Sequence, residues 1–145
     1  MRDPECIFCR IVSGEIPARV LTQNELAVAL LDAFPLAVGH SLVITRSHRP
    51  KVQDLTSKET VALFEMTRQI ASAVEAAMQV PSTTIAIHNG REAGQEIQHV
   101  HVHVIPRTRA DGAGPVHSMF KVRPKLSTKE FDSVYDKIAD SLGRG

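Results

Sequence analysis

Tryptophan is absent from this 145-residue chain, tyrosine occurs once and phenylalanine five times. With so few rings, a net charge of +1 and no block of Lys and Arg, the chain offers neither a stacking platform nor an electrostatic footprint for nucleic acid. Two cysteines cannot build a disulfide framework, and their spacing as Cys6-x-x-Cys9 in a reducing compartment points to metal or redox chemistry. No apolar run approaches the roughly 20 residues of a membrane span. Met1–Glu5 also lacks the apolar core of a secretory leader. A cytoplasmic protein with no membrane partner is expected. At 43% apolar residues, the length supports one domain around one core.

What the chain has is histidine, seven in all, and three of them alternate with valine in Gln98-His99-Val100-His101-Val102-His103-Val104-Ile105-Pro106. β-Branched valine favours strand over helix, and alternate residues of a strand share a face. His99, His101 and His103 therefore form a row of imidazoles, with Val100, Val102 and Val104 buried behind it. Pro106 cannot donate to a ladder, so the strand is expected to run over Ile97–Ile105 and stop there. A histidine-rich solvent face is the bland reading. A metal chelate and a nucleophilic centre are the functional ones. Just upstream, His88-Asn89-Gly90-Arg91-Glu92-Ala93-Gly94-Gln95 reads as a polar turn able to offer backbone N–H groups to an anion.

The other elements follow from local signals. Cys6–Ser13 reads as a helical turn stopped by Gly14, and Arg19–Thr22, the apolar Leu26–Leu31, Ser41–Thr45 and Thr83–His88 read as strands. Thr56 and Glu59 form a capping box for a long helix. Its stripe of Leu63, Met66, Ile70, Val74 and Ala77 faces inward, and it ends before Pro81. A second box, Ser127 with Glu130, opens a C-terminal helix with Phe131, Val134, Ile138 and Leu142 inward and Gly143 after its end.

The run from Asn89-Gly90 through Ala93-Gly94-Gln95 to His99-Val100-His101-Val102-His103-Val104-Ile105-Pro106-Arg107 resembles the signature of histidine triad (HIT) proteins, which are nucleotide hydrolases and transferases. The likeness extends to Cys6-Ile7-Phe8-Cys9, Glu15-Ile16-Pro17-Ala18, Asp32 and Gly39-His40, and fades beyond Arg107. It implies an α+β HIT-like fold, with a five-stranded, mainly antiparallel sheet, one long helix and a C-terminal helix. Residues 1–107 would form the HIT core, and 108–145 a loop and helix packed on it.

His101, at the centre of the row, is the expected nucleophile. With Nδ1–H held by a backbone carbonyl, Nε2 would keep the lone pair that attacks phosphorus, and the resemblance implies that role. His103 and His40 are the supporting pair, and in the family the histidine after Gly39 lies behind the triad. Asp32 heads a loop where a carboxylate can accept from ribose hydroxyls. Gln95 can donate an amide to a phosphate oxygen. Asn89 and Gly94 belong to the turn beside it, and Ile7, Phe8, Ile11 and Leu30 match the family's apolar base pocket. Two positions depart from the family pattern. His88 stands where Asn or Gln is usual, which would make the charge there depend on pH near neutrality, and Glu96 stands where one branch keeps a serine.

Cys6, Cys9, His48 and His99 would complete a four-coordinate structural zinc site like that of bacterial-type HIT proteins, which removes His99 from catalysis. No organic cofactor is expected. The resemblance implies a purine, adenylate-type nucleotide as substrate and a homodimer as the assembly. Arg91–Gln95 leans toward the dinucleoside polyphosphate branch, and Cys6-x-x-Cys9 with Glu15–Ala18 toward the phosphoramidase branch. The competing class is a non-catalytic nucleotide-binding scaffold with the same pocket.

Overall fold

Five short segments rich in Val, Ile, Leu and Thr pair into one sheet, as β-branched residues flanked by turns should. In the computed structural model these are β1 (Val20–Gln23), β2 (Ala27–Leu31), β3 (Ser41–Thr45), β4 (Ser82–Ala86) and β5 (His101–Arg107). The structure describes residues 1–143. All neighbours are antiparallel and the order is β1-β2-β3-β5-β4, so β5, the last strand in sequence, enters between β3 and β4.

Period-2 alternation separates two faces. Ala27, Ala29, Val43, Val102 and Val104 pack under the long helix α2 (Ser57–Met78), against its buried Leu63, Met66, Ile70 and Val74. Burying each larger side chain of this kind is worth about 1.5–3 kcal/mol. Val28, Leu30, Leu42 and Ile44 occupy the other face with Cys6, Phe8 and Cys9 of the N-terminal helix α1 (Ile7–Val12) and its start. Thr56 caps α2 in a capping box with Glu59, and the helix ends at Met78, ahead of Pro81. Ala77, expected on the buried stripe, is exposed at the last turn of the helix.

Two expectations for the histidine strand are corrected. The ladder starts at His101, with residues 97–100 irregular, because Val100 N–H bonds to the Arg49 carbonyl at 2.7 Å instead of to a strand. It also continues through Pro106 to Arg107, which pairs with Ser82. Pairing to β3 ends at Val104, so the N–H that Pro106 lacks falls where β4 is the only neighbour.

The chain divides into Met1–Asp111 and the segment from Gly112 onward. Arg107 grips Asp111 at 2.6 Å at the close of the first unit. The second contains α3 (Thr128–Ser141), capped by Ser127 with Glu130 and followed by Gly143 at φ +80°. Phe131, Val134, Ile138 and Leu142, expected inward, are exposed. Helical periodicity groups apolar residues on one face but does not supply the surface that covers them.

Candidate active site

The site lies on the sheet face opposite α2, and the register of β5 sets its floor. Pairing of His101 with Ile44 and of His103 with Leu42 fixes both imidazoles on that face. Phe8 from α1 closes edge-on over His101, with ring centres 5.1 Å apart. His101 is therefore buried, at 7% exposure, instead of lying on a solvent-facing strand. Its Nδ1 is 2.7 Å from the His99 carbonyl, so Nδ1 carries the proton and Nε2 keeps its lone pair. Burial lowers the His101 pKa, which holds the ring in the neutral, nucleophilic form.

His40 and His103 form a proton-ordered chain. The Leu36 backbone N–H donates to His40 Nδ1 at 3.0 Å, which places the His40 proton on Nε2. Nε2 then donates to His103 Nδ1 at 3.0 Å, leaving His103 with a proton on its own Nε2 as a donor. Asp32 Oδ2 lies 3.5 Å from His40 Nε2. Donor atoms of Asp32, His40 and His103 sit close enough to suggest a cation site. The backbone N–H on His40 Nδ1 and the proton on Nε2 leave that ring no lone pair to give, so the trio is a hydrogen-bond relay. Burial first, and then the neighbouring imidazoles of His101, His40 and His88, depress His103 from the ordinary 6.5 to about 4.

That depression carries a stability consequence. The unfolded chain takes up this proton near pH 6.5 and the folded chain only near 4, so the contribution is complete above 6.5 and is lost as pH falls toward 4. Melting temperatures measured across that window should fall with pH, and should fall less steeply in His103→Gln. An equal slope in the two proteins would contradict the assignment.

A cavity of about 650 Å³ opens over these histidines, lined among others by Ile7, Phe8, Ile11, Leu30, Asp32, His40, His88, Gly94, Glu96, His101 and His103. Gly94 turns there at φ +96°, a conformation open to glycine. Gln95 and Asn89 are placed differently from expectation. Gln95 is buried, its Oε1 accepting from Gly90 N–H at 3.0 Å and its Nε2 donating to the Pro50 carbonyl at 2.7 Å, so the amide fastens the turn. Asn89 accepts from Val52 N–H and donates to Gln53. Four amides of the turn are already committed, since the Ala93, Gly94 and Gln95 N–H groups bond back to Gly90 and Arg91 and the Gly90 N–H to the Gln95 side chain.

Cys6, Cys9, His48 and His99 converge beside this floor, all four donor atoms within 4.8 Å of one another. Cys6 Sγ and His99 Nδ1 are 3.5 Å apart, Cys9 Sγ and His48 Nδ1 3.5 Å, and Cys9 Sγ and His99 Nδ1 3.7 Å. A tetrahedral zinc with ordinary bond lengths needs separations of roughly 3.3–3.8 Å. The proton states fit as well. His99 Nε2–H donates to the Thr45 carbonyl at 2.7 Å, which leaves Nδ1 bare toward the sulfurs, and Asp3 N–H reaches Cys9 Sγ at 3.4 Å. Burial lowers His99 to about 4 and raises the Cys6 thiol, so His99 faces the cluster as a neutral ligand.

The family model described as the HIT domain matches residues 13–110. The chain belongs to the HIT family. An adenylylsulfatase of Arabidopsis thaliana is 35% identical over 107 residues, 74% of this chain and 54% of that protein, so the match spans about half the length of this relative. An adenosine 5′-monophosphoramidase of Schizosaccharomyces pombe is 31% identical over 134 residues, 92% of this chain and 98% of its own. A crystal structure of a HIT family member from Bacillus subtilis superposes with TM-score 0.84 at 30% identity, covering 94% of this chain and 96% of that one. A Zn-bound histidine triad protein of Mycobacterium smegmatis superposes at 0.70 with 27% identity, covering 97% and 98%.

In this HIT domain several cavity residues carry no motif signal. Leu42 lies in a strand that is buried throughout, so only its pairing with His103 reveals that it faces the site. Ile97 precedes the strand, and Phe34 and Leu36 lie in an irregular loop that nothing in their local sequence distinguishes from surface. Arg49 was equally unmarked. Its guanidinium grips buried Glu59 at 3.0–3.2 Å while its carbonyl takes the Val100 N–H, anchoring the entry to β5.

Proposed function

We propose that this HIT protein hydrolyses nucleotides at the α-phosphorus through a nucleotidyl-His101 intermediate, with adenylate-type purine nucleotides as substrates and adenosine phosphoramidates or dinucleoside polyphosphates as the two candidate classes. The observation that carries it is the Nδ1 bond of His101 to the His99 carbonyl, which leaves Nε2 as a neutral nucleophile in the cavity. The base lies among Ile7, Phe8, Ile11, Leu30 and Leu42. Asp32 accepts from the ribose hydroxyls with the lone pairs left after Phe34 N–H takes one at 2.8 Å. His101 Nε2 attacks phosphorus, the leaving group departs, and His103 Nε2–H donates to a phosphoryl oxygen. A neutral donor flanking a nascent imidazolium stabilises charge on the phosphate without adding like charge beside the ring. Water then cleaves the P–N bond to His101 and releases the nucleotide. Quenching turnover of either substrate class in alkaline denaturant, which spares the acid-labile P–N bond, should give a mass increase of one adenylyl group on His101. Turnover without that adduct would overturn the intermediate.

Cys6, Cys9, His48 and His99 would hold one zinc ion, which when bound supplies a cross-link between the N-terminal turn and the start of β5. Two free thiols positioned to ligate a cation suit a reducing compartment, which supports a cytoplasmic location. The assembly is a homodimer. β4 is an edge strand, and Ile85 on it with Val61 and Phe64 on α2 are exposed apolar residues, the type of surface that a second copy buries. Sedimentation at micromolar concentration should give twice 15.9 kDa. A 15.9 kDa particle would refute the dimer.

A further inference from the structure

We propose that Glu96 is a specificity-determining residue that turns away anionic leaving groups and favours those departing as amines, an inference that rests on the nucleotidyl-transfer reading above. The sheet order fixes a direction across the cavity. Leu30 and Asp32, on β2 and just after it, lie on one side of β5, and His88, just after β4, lies on the other. A nucleotide with its base in the apolar end and its ribose at Asp32 directs its leaving group past His101 toward His88, Gly94 and Glu96.

Among the described residues, that end of the lining has no Lys or Arg to hold polyphosphate. Polyphosphate is held by Lys or Arg, by free backbone N–H groups or by a metal. Among the described residues the cavity lining has one such cation, Arg19, which comes from the chain before β1 at the opposite edge of the sheet. The N–H groups of Ala93, Gly94 and Gln95 are spent within the turn, which leaves those of Glu96 and Ile97 as the backbone donors beside the cavity there. Glu96 is exposed, and among the described residues it has no ion pair or hydrogen bond that would neutralise it. Glu96 lines the same cavity as His101, and its carboxylate, with that of Asp32, favours the charged form of that ring against the burial that lowers its pKa.

With a P–N substrate the same carboxylate is useful. The bridging nitrogen takes a proton from solvent, and Glu96 stabilises the ammonium-like form. His101 Nε2 forms its bond to phosphorus as the P–N bond breaks, its electron pair leaving with the amine. Water then attacks phosphorus, returning one proton to solvent and leaving the nucleotide and neutral His101. With a polyphosphate, several negative charges would be driven toward Glu96 instead.

The test measures kcat/KM for adenosine 5′-phosphoramidate and for diadenosine tetraphosphate with the native protein, Glu96→Gln and Glu96→Lys, and with Glu96→Ser as a further neutral variant should either fold poorly. The polyphosphate-to-phosphoramidate ratio should rise about tenfold in the neutral variants and further in Glu96→Lys, with the difference shrinking as salt increases from about 0.05 to about 0.5 M. A ratio within twofold of native in folded variants overturns the role of Glu96 and leaves the nucleotidyl-transfer reading standing. Native protein that turns over neither substrate overturns both.

Discussion

His101→Ala should lower turnover at least about a thousandfold, because among the described residues no other group lining the cavity combines a free ring lone pair with a held Nδ1 proton. The effect belongs in kcat. Nucleotide binding should persist, since the apolar end and Asp32 are untouched, and that separates an enzyme from a scaffold using the same pocket. Because His101 is buried against Phe8, the alanine variant also opens a hole and should melt a few degrees lower. His101→Asn controls for this. Its amide can still donate to the His99 carbonyl and fills most of the space, but it has no basic nitrogen where Nε2 stood. Asparagine and alanine variants should be equally inactive and unequally stable. Turnover within tenfold of native in either would remove His101 as the nucleophile.

Removing the metal should cost the most stability of any single perturbation. Protein purified without chelator should carry one zinc per chain, and Cys9→Ser, or stripping with a strong chelator, should lower the melting temperature by roughly 10 °C or more. Such a large effect is expected because the four ligands come from three separated stretches of chain, and without a cation only thiol–imidazole hydrogen bonds hold those stretches together there. Activity should weaken alongside, since His99 offers its carbonyl to His101 Nδ1 while its ring faces the cysteines. Protein without stoichiometric zinc, or a Cys9→Ser variant that melts as the native does, would return the cluster to unmetallated thiols.

The strands, the long helix and its cap, and the row of histidines were legible in the sequence, because alternation, 3.6-residue periodicity and capping boxes are local patterns that the backbone reads without reference to the rest of the chain. The nearness of Cys6-x-x-Cys9 to His99 was legible only through family resemblance, and the distances that make it a ligand set come from the fold. Tertiary structure alone decided the proton positions and the division of labour. His99 left the ladder because Val100 N–H found the Arg49 carbonyl, and its own carbonyl then came to hold His101 Nδ1. Gln95, a polar residue in a promising turn, was drawn into bonds with Gly90 and Pro50, since a buried amide must be satisfied by whatever the fold brings near, and the exposed Asn89 bonds Val52 and Gln53. Residue type fixes what a side chain can donate or accept, and only packing between distant segments fixes which partner it meets.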